Sequence, residues 1–296
     1  MSDLLAKLEA DGIVVIHDLL SPQTVQDMQR ALQSRLTRMR WNDFDGYEQT
    51  EPHRHMVQDV LTLEQGFMDL AIHPAINQTI AAYVGPEYEL VEAKGWASLA
   101  TKKDFHGWHG DAWYDQELVT DHIPRELKLA MYLTDVSSGH FAYSVGSHRQ
   151  QHPRMVQESK VTDDSVSEVM EVKGPAGTAF LFDTSGVHRQ TYPILSERRA
   201  IFYCYHDPSV PLQREDVAYY RYHPLILNAA FLGGTDEEDR RVLGFGNKQN
   251  YVPAFERVPA SEGLQSLFRT TFYASMRANR LASRVRARLK RTLGRT

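Results

Sequence analysis

An imidazole and a carboxylate two positions apart are the residues best placed to do chemistry. Of the 13 histidines, only His109 is followed at the second position by an acid, Asp111, in Phe-His-Gly-Trp-His-Gly-Asp-Ala-Trp. On an extended strand such residues point to one side, so a ring nitrogen and a carboxylate oxygen converge. With this many histidines about one such pair arises by chance, so the pair needs a third ligand. His188 offers it, after a Gly-Pro-Ala-Gly turn at 174–177, an apolar strand and the polar bend Asp183-Thr-Ser-Gly. In a closed barrel this histidine would reach the pair from the opposite wall. Two imidazoles and one carboxylate on a triangular face leave three positions open, an arrangement suited to non-haem Fe(II) with a bidentate co-substrate and dioxygen. Eleven residues on, Arg199 enters an apolar strand, where a guanidinium needs an anion and fits a carboxylate in bidentate fashion. A zinc hydrolase would use the same triad with metal-bound water, but leaves Arg199 without a role.

The elements that must position these groups are legible. A short helix with Leu4, Leu5 and Leu8 stops at Gly12, and Ile13–Ile16 follows as a strand buried on both faces. Ser21-Pro22 opens an amphipathic helix carrying Val25, Met28, Leu32 and Leu36. From about 85 to 206 the texture turns to short strands: Tyr88–Val91, Leu127–Leu133, Phe141–Val145, Val166–Val172, Thr178–Phe182 and Ala200–Tyr205, punctuated by Gly and Ser. The pattern predicts a mainly β, α+β fold: a double-stranded β-helix, or jelly roll, with helical N-terminal support. Residues 1–256 read as one catalytic domain, with helices over 1–84, a barrel core over 85–206 and a lid-like excursion over 207–256. Residues 257–296 form a helical, basic tail.

Composition narrows the classes. The chain has 296 residues, 42% of them hydrophobic and 24% charged, which suits a folded globular protein rather than a disordered or fibrous one. The lone Cys204 excludes an internal disulfide and argues against Cys-ligated metal. Neither a signal peptide nor a spanning helix is legible, so a cytoplasmic location is expected. The net charge of −5 conceals an asymmetry: residues 277–296 carry eight bases and no acid, while the preceding part holds 25 bases against 38 acids. The acidic body excludes nucleic acid as a partner.

Four stretches together resemble the phytanoyl-CoA dioxygenase-like family of Fe(II)/2-oxoglutarate oxygenases. They are Asp11–Pro22 with its following helix, Trp108–Asp111, Gly139–His148 ending in Val-Gly-Ser-His, and Gly177–His188 with Arg199. The resemblance implies that His109, Asp111 and His188 hold iron and that Arg199 holds the distal carboxylate of 2-oxoglutarate. It also implies a co-substrate contact on the strand before the metal pair, for which Ser98, Lys102 and Lys103 are the candidates. The implied activity consumes O2 and 2-oxoglutarate, releases succinate and CO2, and hydroxylates an aliphatic C–H of a small-molecule or lipid-linked metabolite. Asp111 fills the position that related halogenases leave to chloride. The family's Asn and Ser, five and seven residues beyond the distal histidine, are Pro193 and Leu195 here, so other polar side chains must serve the co-substrate. A jelly roll that only binds a ligand or a membrane is the reading from another class.

Other residues take plainer roles. His106 falls on the opposite strand face from His109, and His148 reads as a structural turn histidine. Trp108, Trp113 and Tyr114 flank the pair and could shape a substrate pocket, as Tyr219, Tyr220, Tyr222 and His223 could shape a lid. In the tail, Leu281, Val285, Leu289 and Leu293 recur among the arginines, which suits a basic amphipathic helix on an anionic bilayer, a partner groove or the acidic body. The sequence specifies no oligomeric state.

Overall fold

A computed structural model describes residues 2–38, 53–58, 60–104, 107–111, 114–150, 168–212 and 227–245, the single residues 161, 166 and 225, and positions 274, 278, 281, 282, 285, 286 and 289. His106, Trp113, Tyr219, Tyr220, Tyr222, His223 and most of the tail lie outside the described residues.

Helix α1 (Ser2–Asp11) ends at Gly12, whose φ of +77° suits a residue without Cβ. Strand β1 (Ile13–Ile16) leads to α2 (Pro22–Thr37), capped by the Ser21 hydroxyl accepting from the Thr24 amide. Next come β2 (Arg54–Val57), α3 (Gln65–Ala71) and α4 (Pro74–Tyr83). The strands are β3 (Glu89–Ser98), β4 (Leu127–Tyr132), β5 (Val136–Ser144), β6 (Val169–Gly174), β7 (Ala179–Asp183), β8 (His188–Gln190) and β9 (Arg198–His206). A short helix α5 (Glu237–Val242) follows.

The strands form a six-stranded antiparallel sheet, ordered β1-β7-β4-β9-β3-β2, and a three-stranded one, ordered β6-β5-β8. Between them lies an aromatic inner core of Ile13, Ala130, Tyr132, Phe141, Tyr143, Val172, Phe180, Phe182 and Ala200. The outer face of the large sheet presents Leu129, Met131, Leu181, Ile201, Tyr203 and Tyr205 to Met28, Leu32, Phe67 and Ile80 of the helices. Tyr203 and Tyr205 each donate a 2.8 Å hydrogen bond, to the Phe67 and Ala71 carbonyls, and so seat α3 on β9. Strand alternation thus separates an inner layer, where chemistry is housed, from an outer layer that fixes the helices.

Three expectations change in detail. β1 is an edge strand, paired only with β7; Ile13 and Val14 are buried, but Val15 and Ile16 are half-buried. β3 runs on to Ser98, seven residues beyond the predicted Val91, because inward charged residues interrupt its apolar pattern. The described part of the excursion puts Leu225, Leu227, Val242 and Leu243 into the outer, helix-side core rather than over the triad. Arg241 anchors that part by donating to the Tyr88 and Pro86 carbonyls. His148 is structural, as read: its ring packs against Gly12, and Gly146 donates to the Asp11 carbonyl, so Val-Gly-Ser-His ties α1 to the barrel.

Candidate metal centre

The segment bearing His109 and Asp111 pairs directly with the start of β8. His109 and His188 exchange backbone hydrogen bonds of 3.0 and 2.8 Å as an antiparallel pair, and the Asp111 amide donates to the Thr184 carbonyl at 2.7 Å. His188 therefore comes from the adjacent strand, not from the opposite wall. Cross-strand partners share a face, and the two rings lie with centroids 4.5 Å apart. One ligand atom from each of His109, Asp111 and His188 lies within 4.8 Å of the others, and all three residues are buried.

Local hydrogen bonds choose the ligating atoms. His109 Nδ1 and His188 Nδ1 each donate at 2.8 Å to a carbonyl two residues earlier, of Gly107 and Gly186. That fixes both tautomers with the Nε2 lone pair toward Asp111. The Nε2 atoms stand 3.9 Å from Asp111 Oδ1 and 3.7 Å from Oδ2. Burial first, then the His188 charge, lowers the His109 pKa to about 3, so the ring is neutral, as a ligand must be. Burial would raise Asp111, but Lys128, His188 and His109 overcome it and hold the carboxyl well below its ordinary range. Asp111 Oδ2 accepts from Lys128 Nζ at 2.6 Å, while Oδ1 is buried with no hydrogen-bond partner among the described residues. An orphaned carboxylate oxygen beside two oriented imidazole nitrogens fits a divalent metal. Phe141 and Phe182 wall the His188 ring at 5.4 and 5.2 Å.

The arginine deeper in the barrel is Arg198. On β9, Arg198, Ala200, Phe202 and Cys204 face inward, whereas Arg199 shares the outward face of Ile201 and Tyr203. Arg199 is half-buried and pairs with Glu197 at 2.6 Å, so it is turned away from the triad. Arg198 is 3% exposed, lies over the Tyr132 ring and donates to the Gly139 carbonyl at 2.8 Å. Among the described residues it has no carboxylate partner; its Nε is buried without a hydrogen bond, and burial lowers its pKa. Ser98 stands opposite Arg198 on β3 and donates to Gln190, which also donates to the Gly139 carbonyl. Gln190 is two residues along β8 from His188, about 7 Å. Lys102 is exposed, because β3 has ended at Ser98 and the chain has left the barrel.

Sequence reasoning missed Arg198, Gln190 and Lys128. Parity was the available signal: within Leu-Lys-Leu-Ala-Met-Tyr, Lys128 shares its face with Ala130 and Tyr132, opposite Leu127, Leu129 and Met131.

Comparison with known proteins agrees with this geometry. Residues 8–200 match the family model described as phytanoyl-CoA dioxygenase (PhyH). No curated protein matches the chain. Among solved structures, the chain is similar to the epimerase SnoN in complex with Fe3+, alpha ketoglutarate and nogalamycin RO, at TM-score 0.61 and 16% identity, over 87% of this chain and 97% of that one. It is similar to EctD from S. alaskensis with 2-oxoglutarate and 5-hydroxyectoine, at TM-score 0.58 and 21% identity, over 72% and 78%. It is also similar to HygX from Streptomyces hygroscopicus with nickel, 2-oxoglutarate and hygromycin B, at TM-score 0.53 and 18% identity, over 86% and 97%. At these identities the neighbours establish the jelly-roll fold. The family match spans well over half of the chain and contains the whole triad, so the chain belongs to the phytanoyl-CoA dioxygenase family.

Proposed function

We propose that the protein is an Fe(II)/2-oxoglutarate-dependent oxygenase that hydroxylates an aliphatic C–H of a small-molecule or lipid-linked metabolite, releasing succinate and CO2. One observation carries the reading: a single barrel holds the His109–Asp111–His188 triad with an orphaned Asp111 oxygen and, deeper, the buried Arg198, which among the described residues has no carboxylate partner. His109 Nε2, His188 Nε2 and Asp111 Oδ1 would hold Fe(II). When bound, the metal supplies dioxygen activation coupled to oxidative decarboxylation of the co-substrate.

The chain's own residues do the rest. Arg198 presents a guanidinium to the distal carboxylate of 2-oxoglutarate, with Ser98 and Gln190 supplying the polar contacts that Pro193 and Leu195 lack. The Gly107 and Gly186 carbonyls keep the imidazoles oriented. Phe141, Tyr143 and Phe182 keep water from the inner side of the site.

The test is succinate formation from 2-oxoglutarate against metabolite extracts, with Asp111→Ala as control, followed by mass analysis under labelled dioxygen. A product carrying one labelled oxygen supports hydroxylation. Substrate-dependent succinate with an unlabelled, epimerised or cyclised product would reassign the outcome, and no succinate with any extract would favour a binding role.

A second assignment concerns the tail, where Leu281, Val285 and Leu289 are all exposed at helical positions instead of packed on the body. Eight bases within residues 277–296 make this stripe suited to peripheral docking on an anionic bilayer. Among the described residues no helix is long and apolar enough to span a membrane. Cosedimentation with phosphatidylserine vesicles, lost at high salt and in a chain ending at residue 276, is the expected result; equal binding by the shortened chain would refute it.

A further inference from the structure

Lys128 is a buried ammonium beside a metal ligand. Its strand pairs it with Phe182 on one side and Cys204 on the other, and Cys204 in turn lies opposite Glu92. Glu92 accepts from Lys94 Nζ at 2.5 Å. Among the described residues, the inner layer beside the triad thus carries Asp111 with Lys128 and Glu92 with Lys94, and the buried Glu126–His206 pair lies at the end of the same strands. A buried lysine persists only when such a partner compensates its lost hydration. Asp111 and Lys128 carry opposite unit charges 2.6 Å apart, so any ion entering the site meets the lysine's positive charge as well as the carboxylate. Water screens little in this layer, so that charge acts strongly at short range.

We propose that Lys128 is a positioning residue that sets the charge of the centre: it occupies one oxygen of Asp111, leaves the other for the metal, weakens the hold on a bare divalent cation and strengthens the hold on a dianionic 2-oxo acid. The inference rests on the Fe(II)/2-oxoglutarate reading. It separates Lys128 from a merely structural residue, because loss of a structural support weakens both ligands, whereas loss of a charge moves their affinities in opposite directions.

The test compares wild type with Lys128→Gln, which keeps a donor for Asp111 but no charge, Lys128→Met, which keeps neither, and Lys128→Arg, which keeps both. Calorimetry measures Ni(II) binding to metal-free protein and 2-oxoglutarate binding to Ni(II)-loaded protein. Lys128→Gln is expected to bind Ni(II) about fivefold tighter and 2-oxoglutarate about tenfold weaker, the size of a partly screened unit charge. Lys128→Arg should stay close to wild type for both. If Lys128→Gln weakens both ligands, or leaves the 2-oxoglutarate affinity unchanged, the proposal is overturned; should Lys128→Met not fold, Lys128→Gln and Lys128→Arg still decide it. Wild type that binds neither Ni(II) nor 2-oxoglutarate overturns the underlying reading, whereas wild type that binds both beside an indistinguishable Lys128→Gln overturns this inference alone.

Discussion

Arg198 and Arg199 are consecutive on β9 and face opposite sides of the large sheet. Arg198 points between the sheets to the Gly139 carbonyl and the Tyr132 ring, whereas Arg199 points outward to Glu197. Two adjacent guanidiniums of equal intrinsic charge are thus given different work by strand parity alone.

Their substitution should therefore give unequal results. Arg198→Ala removes a buried, charge-assisted partner, which costs about 2–3 kcal/mol, or roughly 30–150-fold in 2-oxoglutarate affinity. Arg199→Ala removes a part-exposed ion pair of under about 1 kcal/mol and should leave that affinity within about threefold. Titration of 2-oxoglutarate into anaerobic, Fe(II)-loaded protein measures both. A larger loss in Arg199→Ala than in Arg198→Ala would return the co-substrate role to Arg199.

Asp183 predicts a pH dependence of stability. It accepts from the Tyr83 hydroxyl at 2.7 Å and the Ser185 amide at 2.8 Å, yet burial outweighs both bonds and raises its pKa from 3.8 to about 7. Between those values the folded chain holds a proton that the unfolded chain has lost, so stability from this group is complete below pH 4 and is lost as pH climbs to about 7. Thermal melts of Asp183→Asn, which cannot ionise, should gain on wild type across that window and run parallel above it. Parallel curves throughout would show that Asp183 ionises alike in both states.

Gly186 sets the bend that delivers His188. A Cβ there would lie 1.9 Å from the Tyr143 hydroxyl, which itself donates to the Asp183 carbonyl. Gly186→Ala should cost about 1–3 kcal/mol and weaken metal binding, because the displaced bend carries the carbonyl that orients His188. Adding Tyr143→Leu, which removes the hydroxyl and also the ring Cζ that would lie 2.4 Å from the added Cβ, should restore part of the lost metal binding, measured by bound metal. No recovery in the double variant would place the strain elsewhere.

The sequence read furthest where one short stretch determined one contact. His109-x-Asp111 converges because strand periodicity requires it, and the β1 and α2 boundaries followed from Gly12 and the Ser21 cap. It failed where a one-residue difference in spacing decided which face a side chain takes. The offset of eleven from His188 pointed to Arg199, but the path from β8 to β9 brings Arg198 inward, and only the register of Ser98 with Arg198 reveals that. Lys102 failed for the same kind of reason, since the end of β3 at Ser98 is set by pairing with β2 and β9 rather than by local propensity. Lys128 went unread because its partner Asp111 lies seventeen positions away: parity gives the lysine's face, but pairing across segments leaves no local mark of what it meets.

The centre itself is tested most directly by anaerobic addition of Fe(II) and 2-oxoglutarate to the protein, followed by visible absorption. Wild type should develop a metal-to-ligand charge-transfer band, and His109→Ala, Asp111→Ala and His188→Ala should each lose it. Wild type that develops no band under saturating ligand would contradict the account.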